Sequence, residues 1–283
     1  MPELPEVETI CNGLKRNVTG SIINHVVLKT KKLRYKIHTH RIRKILNHKI
    51  QLIARKGKYI LFFLSGDLVL LFHMGMSGSF RTHDLNSIRK KHDHILFTLM
   101  DKKKEKKILV FNDPRKFGCF VILRNKEIPS CKLLAHLGPD PLVDKFNGKI
   151  LFNILKDSRS LIKTILMNQS KISGMGNIYA CEALFDSGIS PARIAIDVKI
   201  FEAKKLAVSI KKVLTRAIKS GGSSLVNYRD VDGKMGYFQN KFSVYNREGE
   251  ECRVCSKKFI KNSKILRIKT LGRSTYFCPT CQL

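Results

Sequence analysis

Apolar residues near the start of the chain recur every three or four positions. Val7, Ile10, Leu14 and Val18 would share one face of a helix, so this spacing predicts an amphipathic helix. Residues 20–125 carry short apolar runs instead, separated by turn signals, and such runs are typical of β-strands. The predicted strands cover residues 22–28, 50–54, 59–64, 68–73, 95–100, 108–112 and 117–123. Many short strands in series predict a β-sandwich.

The pattern becomes helical after residues 137–142, where Gly138, Pro139 and Pro141 interrupt regular structure. The predicted helical segments are 152–155, 160–167, 177–187 and 200–219. A glycine-rich stretch follows them and predicts a long loop. The predicted organisation is a β-sandwich domain (1–135), a linker (136–150), a helical domain that includes the loop (151–240) and a cysteine-containing module (241–283). Such a chain belongs to the α+β class.

Charge indicates the partner. The 283 residues include 54 lysines and arginines against 22 acids, a formal net charge of +32. Such an excess attracts polyanions and favours nucleic acid as partner, although a drift toward lysine on solvated faces would give the same count. The longest apolar runs fall far short of the ~20 residues of a membrane span, and the N-terminus lacks a secretory signal. We therefore expect a cytoplasmic protein with no membrane partner.

Four of the eight cysteines form two C-x2-C pairs, Cys252 with Cys255 and Cys278 with Cys281, with 22 residues between the pairs. Two such turns can present four thiolates tetrahedrally to zinc. Because so short a module buries too little apolar surface to fold alone, the metal would be structural. The spacing therefore predicts one structural Zn²⁺, and buried or redox-active thiols are the alternative.

The first residues suggest covalent chemistry. Removal of Met1 would expose the secondary amine of Pro2, and a chain-terminal amine has a pKa of about 8, well below that of lysine. Such an amine can attack an aldehyde-like carbon to give a cationic iminium, and Glu3 beside it could move protons. The alternative is structural: Pro5 would start a helix, and Glu3 and Glu6 would complement its dipole.

Several stretches together resemble the formamidopyrimidine-DNA glycosylase family from end to end. They are residues 2–8 (PELPEVE), 73–78 (HMGMSG), 91–94 (KHDH), 112–118 (NDPRKFG), 174–180 (GMGNIYA) and 273–278 (RSTYFC). The resemblance implies a monomeric base excision repair enzyme that removes oxidised purines, 8-oxoguanine and formamidopyrimidines, from damaged double-stranded DNA. It further implies strand cleavage by β- and δ-elimination, and a C-terminal half with a helix-two-turn-helix motif and a zinc-binding hairpin.

The resemblance also implies catalytic roles by position. Pro2 would be the nucleophile on the deoxyribose of the damaged nucleotide, Glu3 the acid that helps to open the sugar, and Glu6 their support. Lys58 would assist the first elimination, and Arg273 on the zinc hairpin the second. A simple phosphate clamp is the alternative role for both cations.

Contacts with DNA follow from the same resemblance. Met76, Arg115 and Phe117 match the side chains that the family inserts where the base was, with Arg115 facing the orphaned cytosine. An apolar wedge and a planar guanidinium can replace the stacking that is lost when a base is extruded. The residues expected to hold backbone phosphates are His73, His92, Arg159, Lys163 and Asn177. The loop over 220–238 would close on the flipped base, with Ser223, Ser224 and Tyr237 as its candidate contacts.

The sequence departs from the family pattern at two points. The 22 residues between the cysteine pairs exceed the usual spacing, which indicates an insertion within 257–268 and makes the reach of Arg273 less certain. Ser158 stands where many relatives have a base, which leaves Arg159 as the nearest substitute.

Two alternative functions stay open at this point. One is an oxidised-pyrimidine glycosylase of the endonuclease VIII type, although that branch usually has glycine at the position of Leu4. The other is a catalytically silent, zinc-dependent protein that binds damaged DNA. The joint presence of Pro2, Glu3 and Lys58 argues against a pure binding protein, which has no need of them together.

Overall fold

The computed structural model describes residues 2–84, 90–143, 145–224, 231–260 and 262–283. The chain forms two compact units: Met1–Ala135 with Ser220–Tyr237, and His136–Lys219 with Phe238–Leu283. The stretch from Ser220 to Tyr237, which the sequence assigned to the helical domain, thus packs with the first unit. No helix among the described residues is long and apolar enough to cross a membrane.

The first unit opens with helix α1 (Leu4–Val18). Its predicted apolar stripe is buried and joins the core of the unit, since Val7, Ile10, Leu14 and Val18 are each at most 1% exposed. This burial confirms the predicted amphipathic helix. The acids at its start also form a capping box, so the structural interpretation of the N-terminal carboxylates holds alongside any chemical one.

Eight strands form two antiparallel four-stranded sheets, which confirms the predicted β-sandwich. In spatial order the first sheet contains β1 (Ile22–Leu28), β6 (Asp93–Met100), β7 (Lys106–Asn112) and β5 (Ser79–His83). The second contains β2 (Ile50–Lys56), β3 (Tyr59–Leu64), β4 (Leu68–His73) and β8 (Cys119–Arg124). Phenylalanines from both sheets fill the core. Phe72 on β4 lies 4.7 Å from Phe120 on β8 and 4.9 Å from Phe80 on β5, measured between ring centroids.

Strand β5 was not among the predicted strands. Its five residues carry a single buried apolar side chain, Phe80, so no alternation marks them as a strand. The strand exists because its backbone pairs with β7, from Ser79 opposite Asn112 to His83 opposite Ile108. Tertiary pairing decides the conformation here rather than local propensity.

The second unit is mainly helical up to residue 219. Its helices are α2 (Gly148–Leu155), α3 (Ile162–Met167), α4 (Asn177–Ser187) and α5 (Ile200–Lys219). Helix α2 begins at Gly148 rather than at Phe152, within the stretch predicted as linker. The reason is an N-cap: the Asn147 side chain accepts the backbone N–H groups of Lys149 and Ile150 at 3.0 and 3.1 Å.

A small cysteine-containing module ends the second unit. It contains helix α6 (Arg253–Lys257) and an antiparallel hairpin of β9 (Leu266–Thr270) and β10 (Arg273–Phe277). Its apolar cluster includes the buried Ile265 and Tyr276, together with Cys181 and Phe185 from α4. The module therefore shares its core with a helix instead of folding around apolar residues of its own.

Candidate active site and metal centre

Pro2, Glu3 and Glu6 lie at the start of α1. The two carboxylates are buried, with Glu3 5% and Glu6 2% exposed, whereas Pro2 is partly exposed. The backbone N–H of Glu3 donates to Glu6 Oε2 at 2.9 Å. Glu6 Oε1 accepts the backbone N–H of Ser223 at 2.8 Å and its hydroxyl at 3.2 Å. The structure thus brings three residues of the predicted catalytic set and one residue of the predicted loop into one cluster.

Lys58 lies in a two-residue turn between β2 and β3, beside Gly57, whose φ is +57°. It is only 6% exposed. Its charge acts on His73, at the end of β4, where burial and then the charges of Lys58 and Arg34 lower the pKa of the imidazole from 6.5 to about 4. His73 is therefore neutral near pH 7. Because its Nδ1 accepts the backbone N–H of Gly75 at 3.0 Å, the ring proton lies on Nε2, which can donate a hydrogen bond.

The three predicted wedge residues all carry exposed side chains. Met76 is 46% and Phe117 45% exposed, both unusual for apolar side chains of this size. The guanidinium carbon of Arg115 lies over the Phe117 ring, 4.7 Å from its centroid, a cation–π contact. Arg115 and Phe117 are therefore arranged as a pair.

Asp113 holds the segment that carries this pair. Its carboxylate accepts the Ser77 hydroxyl at 2.6 Å and the backbone N–H of Gly118 at 2.7 Å. Its backbone N–H donates to the His92 carbonyl at 3.1 Å, which places partly buried His92 beside the same segment. The sequence motif contained Asp113, but its role as the anchor of the turn was not anticipated.

The predicted loop is described at both ends, and residues 225–230 lie outside the described residues. Ser223 is buried, and its backbone forms an isolated antiparallel bridge with Tyr237. The Ser224 hydroxyl accepts the backbone N–H of Gly236 at 2.8 Å. Tyr237 is 64% exposed, so its ring is the candidate contact that faces solvent.

Two predicted phosphate contacts of the second unit converge on one carbonyl of β10. Lys163 is only 1% exposed, and its Nζ donates to Thr275 Oγ1 at 2.6 Å and to the Ser274 carbonyl at 3.2 Å. Asn177 Nδ2 donates to the same Ser274 carbonyl at 2.9 Å. The side chain of Lys163 thus points into the hairpin rather than toward solvent. Arg159 and Arg273, by contrast, are exposed.

The four paired cysteines come together as one cluster. The Sγ atoms of Cys252, Cys255, Cys278 and Cys281 all lie within 4.8 Å of one another. The distances are 3.8 Å from Cys252 to Cys281 and 3.7 Å from Cys255 to Cys278. Thiolates placed about 2.3 Å from a tetrahedral zinc have sulfur–sulfur edges of about 3.8 Å. The cluster can therefore hold a metal ion, and its spacing fits Zn²⁺.

Glu182 is a buried carboxylate that the sequence reasoning missed. It lies on α4, is 3% exposed, and accepts the backbone N–H groups of Ser243, Val244 and Tyr245 at 2.9 Å each. Burial raises its pKa, against the effect of these donors. The available signal was a single acid in an otherwise apolar helical run, Ile178 to Phe185, where a carboxylate must find donors.

Comparison with known proteins now decides the family. The model of the formamidopyrimidine-DNA glycosylase N-terminal domain matches residues 1–120, and that of the formamidopyrimidine-DNA glycosylase H2TH domain matches residues 137–228. The chain belongs to the formamidopyrimidine-DNA glycosylase family. Membership confirms the resemblance read from the motifs, and with it the α+β fold class and the enzyme class, a DNA glycosylase with abasic-site lyase activity.

Full-length relatives agree with this membership. Formamidopyrimidine-DNA glycosylase of Wolbachia pipientis subsp. Culex pipiens is 41% identical over 283 residues, and that of Photorhabdus laumondii subsp. laumondii is 40% identical over 282, with 100% of each chain covered. Among solved structures, the Lactococcus lactis protein in complex with an abasic site containing DNA matches with a TM-score of 0.88 and 32% identity over 99% of both chains.

Proposed function

We propose that this protein excises oxidised purines, 8-oxoguanine and formamidopyrimidines, from duplex DNA and then cuts the abasic strand. The observation that carries the proposal is the buried cluster at the start of α1, where two carboxylates adjoin the residue that becomes chain-terminal once Met1 is removed. Names of the full-length relatives support the lesion class. A matched structure that holds Fapy-dG containing DNA supports it as well.

The amine of Pro2 supplies the electron pair for the first step. Its nitrogen bonds to C1′ of the deoxyribose as the bond from C1′ to the base breaks, and the base leaves with that electron pair and takes up the proton that the Pro2 nitrogen gives up. Glu3 protonates O4′ as the sugar ring opens, which leaves a cationic iminium between Pro2 and C1′.

Strand cleavage follows from the charge of that iminium. A secondary amine has no second N–H to lose, so the iminium stays cationic and acidifies the neighbouring C2′–H. Loss of this proton expels the 3′ phosphate, and a later loss of the C4′ proton expels the 5′ phosphate. Water then releases Pro2, and a one-nucleotide gap remains. In this proposal Lys58 assists the first elimination and Arg273 the second.

Phosphate binding is the role we propose for His73. Its lowered pKa keeps the imidazole neutral, and the hydrogen bond from Gly75 to Nδ1 leaves Nε2–H as a donor. A neutral donor of this kind can orient a phosphate oxygen without adding charge beside Lys58. His92, Arg159 and Asn177 are the further phosphate contacts of the proposal. For Lys163 we propose an indirect role through β10, because its ammonium is buried against that strand.

The exposed wedge supports extrusion of the damaged nucleotide. Extrusion costs a few kcal/mol of lost stacking and pairing. Met76 and Phe117 can fill the vacated space, and the guanidinium of Arg115 can donate to the orphaned cytosine. Ser224 and Tyr237 would meet the flipped base as the loop closes.

For the four cysteines we propose a single structural Zn²⁺. When bound, the ion would crosslink the two C-x2-C turns and so hold the hairpin that carries Arg273. We further propose that the protein works as a monomer in the cytosol, where reducing conditions keep the thiolates available to metal.

Borohydride trapping tests the proposed reaction. Wild-type protein lacking Met1 should form a covalent adduct with duplex DNA that carries 8-oxoguanine opposite cytosine. Pro2→Gly should trap weakly, and a form that keeps Met1 should not trap, because its nucleophile is an amide. Tight binding without cutting or trapping would overturn the enzyme proposal. Faster excision of thymine glycol than of 8-oxoguanine would overturn the proposed lesion class.

A further inference from the structure

The two ends of the loop that begins after α5 meet at a tight crossing, which we call the loop neck (residues 220–224 and 235–237). The backbones of Ser223 and Tyr237 form a bridge, and the Tyr237 N–H donates to the Ser220 carbonyl at 2.9 Å. The Gly236 N–H donates to the Ser224 hydroxyl at 2.8 Å. These bonds join the two ends of the loop at its base.

Two glycines make the crossing possible. A Cβ atom on Gly236 would lie 2.4 Å from the Gly222 carbonyl oxygen, a distance that real Cβ atoms do not adopt. Gly222 has a φ of +80°, and a Cβ there would lie 3.0 Å from Glu6 Oε1 and 3.3 Å from Glu6 Cα. The loop neck is therefore packed against Glu6 as well as against itself. It has no room for a methyl group at Gly236, and a methyl group at Gly222 fits only if Glu6 shifts by a few tenths of an ångström.

Glu6 connects this packed neck to the N-terminus. One carboxylate oxygen accepts the backbone N–H and hydroxyl of Ser223, and the other accepts the backbone N–H of Glu3 at 2.9 Å. The Glu3 nitrogen belongs to the same planar peptide group as the Pro2 carbonyl. Fixing that nitrogen therefore fixes the plane next to the Pro2 amine and leaves rotation about the Pro2 Cα–C bond as the main remaining freedom.

We propose that the loop neck is a positioning element for the nucleophile: through Glu6 and Glu3 it holds the Pro2 amine in its attacking orientation. This inference rests on the proposed function, in which Pro2 attacks C1′. It gives Gly222 and Ser223 a role in the covalent step that is separate from any contact of the loop with a flipped base. The reason for expecting a large effect is geometric, since a displacement of about 1 Å at a reacting group can cost about a hundred-fold in rate.

The test is Gly222→Ala on DNA that carries a preformed abasic site, which has no base for the loop to contact. The added methyl group should displace Glu6, and single-turnover trapping with borohydride should slow by about ten-fold or more. Gly249→Ala is the matched control, because Gly249 has nearly the same φ, +79°, with nothing within 4 Å of its would-be Cβ. The control should trap at the wild-type rate.

The outcomes separate this inference from the proposed function. Absence of trapping with wild type would defeat the proposed function itself. If Gly222→Ala traps the abasic site at the wild-type rate and is slow only in excising 8-oxoguanine, the loop neck acts on the base. That result would overturn the inference. Should Gly222→Ala fail to fold, Ser223→Ala removes only the 3.2 Å hydroxyl bond to Glu6. It should also slow trapping at the abasic site, and an unchanged rate would count against the inference.

Discussion

Glu182 allows a sharp test of how the helical unit holds its cysteine-containing module. Oε1 of its carboxylate accepts the backbone N–H groups of Val244 and Tyr245 at 2.9 Å, and the Ser243 N–H donates to Oε2 at 2.9 Å and to Oε1 at 3.1 Å. Glu182→Ala deprives all three donors of their partner. Glu182→Gln keeps a carbonyl oxygen that can take the place of Oε1, so only the bond from Ser243 to Oε2 is lost and each of the three N–H groups keeps an acceptor.

The two substitutions should differ clearly in stability. A buried donor left without an acceptor costs about 1–3 kcal/mol. Val244 is fully buried, while Ser243 and Tyr245 are partly exposed and can regain water, so we expect Glu182→Ala to destabilise by about 3–5 kcal/mol. Glu182→Gln should cost about 1 kcal/mol or less. It also removes the burial of a charge, the cause that raises the pKa of Glu182.

Thermal unfolding followed by circular dichroism measures the difference. Each kcal/mol corresponds to about 2–4 °C of Tm in domains of 150–250 residues. Glu182→Ala should therefore lower Tm by about 6–20 °C, and Glu182→Gln by at most about 4 °C. Asp186→Ala is the control on the same helix, since its ion pair with Lys212 (2.7 Å) is partly exposed and worth at most about 1 kcal/mol. Equal losses for Ala and Gln would refute the reasoning, because the retained oxygen would then satisfy no donor.

Three further predictions concern pH, metal and the opposite base. The pKa of His73 is about 4 in the folded protein and 6.5 in the unfolded chain. Its contribution to stability is therefore complete above pH 6.5 and is lost as the pH falls toward 4. The free energy of unfolding of His73→Gln, measured with urea, should consequently vary less with pH over that range than that of the wild type. Metal chelation or Cys252→Ser should unfold the cysteine-containing module and weaken duplex binding about ten-fold or more, measured by fluorescence anisotropy; unchanged binding would argue against a structural metal. Arg115→Ala should reduce the preference for cytosine over adenine opposite 8-oxoguanine, because the donors that recognise cytosine are gone; an unchanged ratio of excision rates would remove Arg115 from that role.

Local periodicity was sufficient for most of the fold. The spacing of Val7, Ile10 and Leu14 predicted α1, and short apolar runs such as Tyr59–Leu64 predicted the strands of the sandwich. These patterns predict secondary structure because the apolar residues of an element show which of its faces is buried. Strand β5 has no such pattern, because its pairing with β7 determines its conformation. Only the structure revealed it.

Motifs can nominate the residues of a candidate site, but they do not indicate the contacts between those residues. Motifs named Glu6 and Ser223 separately, yet these residues are 217 positions apart, and nothing in either segment indicates their hydrogen bond. Lys163 shows a second limit of sequence reasoning. The family resemblance places it among the expected phosphate contacts, and only the structure shows that its ammonium donates to the Ser274 carbonyl. Side-chain direction depends on tertiary packing, which residue type and motif position do not encode.

The distribution of charge explains how one chain can attract DNA and still keep its loops ordered. Acids are scarce, 22 against 54 lysines and arginines, yet Glu6, Asp113 and Glu182 are buried and each accepts backbone N–H groups from a loop. A carboxylate bound by backbone donors orders the segment that supplies them. Being buried, it also presents little negative potential to a polyanion at the surface. Long-range attraction and local order thus depend on different residues: the many exposed lysines and arginines attract the polyanion, and these three buried carboxylates order loops.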